Sequence, residues 1–326
     1  MNSQLVKLDL KLYRGYVNKE ELVVFGHVFK SWSPDHYRMD RRGIRHAVSI
    51  IHMFRIKPQK NVAVTLKFKN LEVTTKTLDD GYFRFTIPYE ENLESGWHPF
   101  QVICKVYDFG IVECSELLKP YESKVGVISD IDDTFLVSHS NNFFKKLYVL
   151  LLKNINKRKV FEDVVPHYQS LSRAGQESEE ASNSFFYVSS SEWNLYEFID
   201  SFIRIHELPK GVLKLKKIKT GISDFLFTGR GSHDHKFEKI KDIIGFYPRL
   251  NYVLLGDDSQ KDPYLYERVV KIFPQNIKAI YIRQTGHGRK KKVENVLRNI
   301  ESMNVAVCYF KSSSEAIAHS ERIGIT

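Results

Sequence analysis

Apolar and polar positions along this chain change period near residue 122. Before that point apolar residues alternate with polar ones over Leu22 to Phe29, Val62 to Phe68, Tyr82 to Ile87 and Phe100 to Tyr107, which predicts half-buried strands. Asp79-Asp80-Gly81, just ahead of Tyr82, reads as a hairpin turn. Residues 31–59 fit a strand poorly and are read as a loop with a short helix. After residue 122 short, wholly apolar runs take over: Val125 to Ser129, Phe185 to Val188, Tyr252 to Leu255, Ala279 to Ile282 and Val305 to Cys308. Helical spacings separate them, and such alternation implies a parallel sheet covered by helices. Two domains follow: 1–122, a small antiparallel β-sandwich, and 123–326, an α/β unit. There is no internal repeat or low-complexity tract.

The densest chemistry follows the first of the later strands. Asp130-Ile131-Asp132-Asp133-Thr134 puts two carboxylates, Asp130 and Asp132, on one face of an extended chain at the strand's carboxyl end. Like charges side by side repel unless a cation or a reaction requires both, and ligands of open parallel sheets bind beyond the strands' carboxyl ends. A calcium loop does not fit, because Phe135 stands where an EF-hand needs Gly and Asn141 where it needs Glu. An acidic surface turn is the bland alternative, so the residues downstream decide. The second strand ends in Ser189-Ser190-Ser191, and the third in Gly256-Asp257-Asp258-Ser259-Gln260-Lys261-Asp262-Pro263. Between them Lys236 opens a helical pattern with Phe237, Ile240 and Ile244.

An acidic pair, a hydroxyl, a lysine and an acidic cluster, in that order, resemble the four motifs of the haloacid dehalogenase phosphohydrolase superfamily. Tyr13-Arg14-Gly15-Tyr16, the segment from Phe186 to Leu195, Leu208-Pro209 and the Gly256 to Pro263 run narrow the resemblance. They are similar to the conserved-domain family of the fungal actin-patch-associated phosphatidate phosphatase, whose catalytic core is related to that of lipins. The similarity extends over nearly the whole chain. Two positions depart from it: Glu192 stands where the family usually has Pro, and Asp258-Ser259 where it has Ser-Gly.

The resemblance implies a Rossmann-like parallel sheet with helices on both faces. The intervals 135–184 and 190–235 leave little room for a cap beyond crossover helices, so a minimal cap and a bulky substrate are expected. It also implies Mg2+-dependent hydrolysis of a phosphomonoester through an aspartyl-phosphate. Asp130 is then the nucleophile, and Asp132 the general acid that later serves as base. Ser189, with Ser190, donates to phosphoryl oxygens, and Lys236 neutralises charge on Asp130 and the phosphoryl group. Asp130, the Asp132 carbonyl and Asp257 hold the metal, with Asp262 or Asp258 ordering its waters. Thr134 braces the loop, and His233 and His235 are read as helix-start residues beside Lys236.

Composition narrows the setting. The 326 residues are 42% hydrophobic and 27% charged, the balance of an ordinary globular protein. Three widely spaced cysteines argue against a disulfide framework, and no apolar run approaches the ~20 residues of a membrane span; a cytoplasmic location is expected. The net charge is +10, with basic clusters at Lys145–Lys159, at Lys214, Lys216, Lys217 and Lys219, and at Arg289–Lys292. These are read chiefly as solvated faces whose field draws phosphorylated substrates. Phe144, Leu147, Tyr148 and Leu151 at helical spacing beside the first cluster leave peripheral membrane contact open, with a membrane phospholipid as substrate. Nucleic acid is disfavoured, because no stacking platform of interleaved aromatics is evident. Two other functions stay open: a phospholipid-binding module with little catalysis, and a phosphatase of nucleic-acid ends or phosphoproteins.

Overall fold

A computed structural model describes residues 8–30, 57–106, 109–121, 125–131, 158–175, 181–216, 234–258, 261–286 and 288–326. The chain divides into two compact units. The first is built on the residues up to Lys119 together with Glu192–Phe198, and the second on Pro120–Ser191, Ile199–Lys216 and the described residues from 234 onward.

The first unit contains β1 (Leu8–Leu12), β2 (Gly15–Val17), β3 (Glu21–Lys30), β4 (Lys57–Pro58), β5 (Ala63–Phe68), β6 (Leu71–Lys76), β7 (Tyr82–Pro88), β8 (Gly96–Val106) and β9 (Phe109–Lys119). Their order is β1-β3-β2-β9-β8-β5-β6, with β4 and β7 also paired to β3, so the nine strands share one hydrogen-bonded network. The ladders are antiparallel except β2–β9, which is parallel. Alternation does the sorting: Val64, Leu66 and Phe68 of β5 and Phe83 and Phe85 of β7 are buried, while Lys67 and Arg84 between them are exposed.

The turn expected at Asp79–Gly81 is present. Gly81 donates its N–H to the Leu78 carbonyl at 2.9 Å, and its φ of 74° lies in the region glycine tolerates best. The expected hairpin is not what the described ladders show, since β7 pairs with β3 rather than with β6. The reason is apolar matching: Phe83 and Phe85 sit opposite Gly26 and Val24 of a strand buried along nearly its whole length. Of the segment read as a loop with a short helix, 31–56 lies outside the described residues, and Lys57–Pro58 is strand.

Within this same unit, two sequence segments far apart in the chain meet. Tyr13 stacks on Trp193 with ring centroids 4.3 Å apart, and the Arg14 N–H donates to the Tyr196 hydroxyl at 3.0 Å. Tyr13 Oη is 2.9 Å from His27 Nδ1, and burial lowers the His27 pKa to about 3.

The second unit contains β10 (Val125–Asp130), α1 (Arg158–Arg173), β11 (Ser184–Glu192) up to Ser191, the part of α2 (Tyr196–Ile205) from Ile199 on, β12 (Gly211–Lys216), α3 (Asp234–Phe246) and β13 (Asn251–Asp257), while a single 3-10 turn (Trp193–Leu195) and the start of α2 belong to the first. It continues with α4 (Asp262–Ile272), β14 (Ile277–Arg283), α5 (Lys291–Glu301), β15 (Ala306–Phe310) and α6 (Ser313–Arg322). The strand order is β12-β11-β10-β13-β14-β15, and the ladders β10–β11, β10–β13, β13–β14 and β14–β15 are parallel. Val127, Ile128, Leu254 and Ile280 have no solvent exposure. Continuous apolar strands are what a sheet covered on both faces requires. The helices pack in two groups, α3 with α4 and α5, and α1 with α6.

Strand ends refine the expectations. β10 runs one residue further than its apolar core, making Asp130 its last residue. β11 runs through the three serines at its expected end and on to Glu192, and Ser189, Ser191 and Glu192 are themselves buried. Lys214, read as part of a solvated cluster, is largely buried within β12. The Phe144–Lys157 stretch lies outside the described residues. No helix among the described residues is long and apolar enough to cross a membrane, and the three cysteines are free thiols.

Two buried histidines make acid sensitivity a consequence of the packing. Burial lowers the His27 pKa from 6.5 to about 3, and burial with the nearby His319 lowers that of His167 to about 4. The unfolded chain therefore binds more protons between these values and 6.5, so stability is complete above pH 6.5 and falls as pH drops through that window. Thermal melts should show a midpoint declining from pH 6.5 toward 4, and His27→Asn, which cannot titrate, should flatten part of that decline. An equally steep decline in the variant would exclude His27 as a contributor.

Candidate active site

Alternation along β10 separates two neighbours. Ser129 faces α1, where its Oγ lies 2.7 Å from the Tyr168 hydroxyl, and Asp130 faces α3 and α4. From the first turn of α3, Lys236 places its Nζ 2.8 Å from Asp130 Oδ2 and 3.6 Å from Asp262 Oδ1. All three side chains are at most 3% exposed. A buried ammonium is costly unless paired, and here it is paired twice. Phe237, Ile240 and Ile244 fix the helix by burying its other positions in the core.

Asp262 is the first residue of α4, where a carboxylate complements the helix dipole, and Pro263 follows as a natural helix starter. Its Oδ2 accepts the Asp257 N–H at 3.3 Å. That return is possible because residue 256 is glycine: an added Cβ would stand 2.8 Å from Asp262 Oδ2 and 2.9 Å from the Tyr266 ring. The Tyr266 hydroxyl donates to the Leu255 carbonyl at 2.7 Å and pins the same helix to the same strand. The start of α4 thus brings Asp262 back over Gly256 and Asp257.

Ser189 lies on β11 one residue past the register pair Asp130↔Val188. It is buried, and its Oγ accepts the Ser191 N–H at 2.9 Å; Ser190 is partly exposed. The structure therefore gathers Asp130, Lys236, Asp257 and Asp262 at the carboxyl ends of β10 and β13, with Ser189 on the adjoining strand. Asp132 lies outside the described residues, as do Thr134, Ser259, Gln260 and His233, and His235 is exposed.

Asp258 has a job its position beside Asp257 did not predict. Its carboxylate accepts the N–H of Thr285 at 3.0 Å, the Thr285 hydroxyl, the Lys290 ammonium at 3.2 Å and the Tyr309 hydroxyl at 2.6 Å. Lys290 also donates to the Asp258 carbonyl. Burial opposes ionisation, but the hydrogen bonds from Thr285, Tyr309 and Lys290 outweigh it and hold this carboxyl below its ordinary range. Both oxygens are engaged by Thr285, Lys290 and Tyr309, residues that follow β14 or lie on β15.

Among the described residues, no group of three or more His, Cys, Asp or Glu side chains is arranged to hold a metal ion. Asp130 and Asp257 nonetheless offer hard carboxylate oxygens on adjacent strands, the donor type Mg2+ takes, and Mg2+ is commonly held by one or two carboxylates. Two cationic residues escaped the sequence reading. Arg283, buried in register with Asp257, is hidden inside an apolar run. Lys239, whose Nζ donates to the Ser189 carbonyl at 2.8 Å, could have been noticed from its spacing three residues after Lys236.

As a class, this is an α/β protein with a buried carboxylate–lysine centre at the carboxyl ends of a parallel sheet. Residues 125–284 match the family described as Phosphatidate phosphatase APP1, catalytic domain. Phosphatidate phosphatase APP1 of Saccharomyces cerevisiae is 27% identical over 163 residues, which is 49% of this chain and 26% of that protein. The chain thus spans about a quarter of the length of this curated relative. Residues 125–284 are thus similar to the APP1-like family, the resemblance the motifs carried. Among solved structures, a carbohydrate acetylesterase from Xanthomonas citri aligns over 98% of this chain and 75% of its own at 7% identity, with a TM-score of 0.35. A β-glucuronidase from Parabacteroides merdae aligns over 93% and 39% at 9% identity, with a TM-score of 0.27. Neither score is high enough to inform the fold.

The Asp258 network yields a stability prediction. Asp258→Ala strips the partner from Thr285, Tyr309 and Lys290 together and should cost about 2–4 kcal/mol in denaturant unfolding. Asp258→Asn keeps the acceptor oxygen and should cost less. Equal losses in the two variants would mean that the network contributes through packing alone.

Proposed function

We propose that this protein is a Mg2+-dependent phosphomonoester hydrolase acting on phosphatidate or a related phospholipid through an aspartyl-phosphate. The match of residues 125–284 to the APP1 catalytic-domain family supports phosphatase activity. The observation that carries the reading is the Lys236–Asp130 ion pair, buried at the end of a central parallel strand with Asp257 and Asp262 beside it. In this reading the sheet is of the haloacid dehalogenase type with a minimal cap, and the N-terminal strands form a sandwich.

Asp130 attacks phosphorus, its carboxylate held in one rotation by the Lys236 ammonium. The phosphorus–alkoxide bond breaks as the new phosphorus–carboxylate bond forms, and Asp132 protonates the departing oxygen. Ser189 donates to an equatorial phosphoryl oxygen, and its acceptance of the Ser191 N–H orients the hydroxyl for that task. Lys236 offsets charge that gathers on the phosphoryl group. Asp132, now a carboxylate, takes a proton from the water that hydrolyses the acyl phosphate, and phosphate leaves with Asp130 restored. Asp130, the Asp132 carbonyl and Asp257 would hold Mg2+, which supplies charge neutralisation for the incoming phosphate. Asp262 fixes Lys236 and the Asp257 backbone. The membrane location of such a lipid agrees with an overall charge of +10.

The direct test is hydrolysis of phosphatidate in mixed micelles and of a soluble aryl phosphate, with and without Mg2+. Wild type should hydrolyse both, EDTA should abolish turnover, and Mg2+ should restore it. Asp130→Asn should be inactive while folded; turnover retained in that variant would sink the assignment. Asp132→Asn should lose about 10²–10⁴-fold on alkyl phosphates and far less in the phosphorylation step of an activated aryl ester. Its dephosphorylation should also slow, trapping the intermediate. A loss independent of the leaving group would remove Asp132 from the acid–base role.

A further inference from the structure

We propose that Lys239 is a positioning residue that locks the phosphate-binding end of β11 against the nucleophile strand, a role resting on the phosphatase reading above. Lys236 and Lys239 stand three residues apart on α3, a spacing that places both on one side of the helix. Lys236 reaches Asp130 at 2.8 Å, whereas Lys239, partly buried, reaches the carbonyl of Ser189 at 2.8 Å. A bond from an ammonium to a carbonyl is stronger than one between neutral groups. One helix therefore grips two different motifs by two ammonium groups.

The bonds around this helix close into a circuit. Asp130 is followed by Ile131, whose N–H donates to the Val188 carbonyl at 3.3 Å. Val188 is followed by Ser189, whose carbonyl returns to Lys239 and so to α3. Two successive carbonyls of β11 are thereby anchored to different elements, one to the residue after the nucleophile and one to the helix carrying Lys236. The register Asp130↔Val188 is the last of its ladder, so beyond it β10 no longer sets the course of β11. The Lys239 bond acts at the first residue past that point. Ser189 Oγ in turn accepts the Ser191 N–H at 2.9 Å, so the orientation of the hydroxyl follows that of the backbone Lys239 holds. Displacing a substrate-binding group by about an ångström is worth up to about 100-fold in rate, and the circuit opposes such a displacement.

The experiment compares Lys239→Met, which keeps the stem and removes the donor, with Lys239→Arg, which restores a charged donor. Three readouts are taken on the full chain: aryl-phosphate kinetics, inhibition or binding by inorganic phosphate, and amide hydrogen exchange over residues 184–195. Lys239→Met should lower kcat/KM by about 10- to 100-fold and weaken phosphate binding. It should also speed exchange over 184–195 while leaving the Mg2+ concentration for half-maximal activity unchanged; Lys239→Arg should recover much of the loss. Wild-type exchange over 184–195 in Lys239→Met overturns the proposal. So does faster exchange with unchanged kinetics and phosphate binding, which would make the bond purely structural. If wild type hydrolyses no phosphate ester, the phosphatase reading falls by itself. Exchange and phosphate binding then still decide the positioning role, and no change in either overturns it.

Discussion

A lysine ammonium sealed between two aspartates sets the terms for the rest of the second unit. Removing Lys236, Asp130 and Asp262 from water costs several kcal/mol per ion, recovered only with short contacts and further hydrogen bonds. The contacts of 2.8 and 3.6 Å require α3 to begin beside the end of β10 and α4 to begin beside the same point. Two helices from different crossovers must therefore converge on one strand end. Glycine at 256 follows from this, since any side chain there would push Asp262 away from the pair. Tyr266 and the Asp257 N–H then hold α4 in the position the ion pair demands.

The neighbouring carboxylates 257 and 258 show how little one residue of sequence separation says about role. Asp257 remains at the strand end with Asp262 on its backbone, whereas Asp258 is drawn into Thr285, Lys290 and Tyr309. The extra negative charge that Asp258 brings to this position is thus neutralised on the spot. It ties the segment after β14 to the end of β13 instead of adding to the field around Asp130. Arg289, whose guanidinium lies 5.3 Å from the Tyr309 ring centre and donates to the Tyr309 carbonyl, extends that tie.

What was legible in the sequence was whatever depends on local period. The buried strands around Ile128, Val188 and Leu254, and the helix starting at Lys236, follow from apolar spacing, and their order along the chain exposed the motif set. The partners of Asp258 lie 27, 32 and 51 residues away, and no local pattern reports such pairings. The same blindness accounts for β7, whose turn was recognisable but whose strand partner was not. β11 outlasted its expected end because serines and a glutamate, poor strand signals in isolation, are buried there by their surroundings. The Tyr13–Gly15 segment shows the converse. It was legible only through family resemblance, and its meaning emerges from the stacking of Tyr13 on Trp193 and the bond from Arg14 to Tyr196.

The charge balance at the centre constrains any reaction there. Three buried carboxylates, Asp130, Asp257 and Asp262, face one buried ammonium, with the Arg283 guanidinium alongside Asp257 in the sheet. The described set is therefore negative overall, and Asp132 adds to it by sequence. A phosphate ester is itself an anion, and an anion entering a negative, low-dielectric site is repelled strongly. Lys239 moves the balance only locally, at the β11 end. A divalent cation, as the proposed function requires, would reverse the sign where carboxylate oxygens converge and turn the same acidic cluster from an obstacle into a receptor. Under the proposed function the cation and the phosphoryl group would be mutually dependent ligands of the site, and the acidic excess that looks ill-suited to a phosphate would recruit the ion that makes phosphate binding favourable.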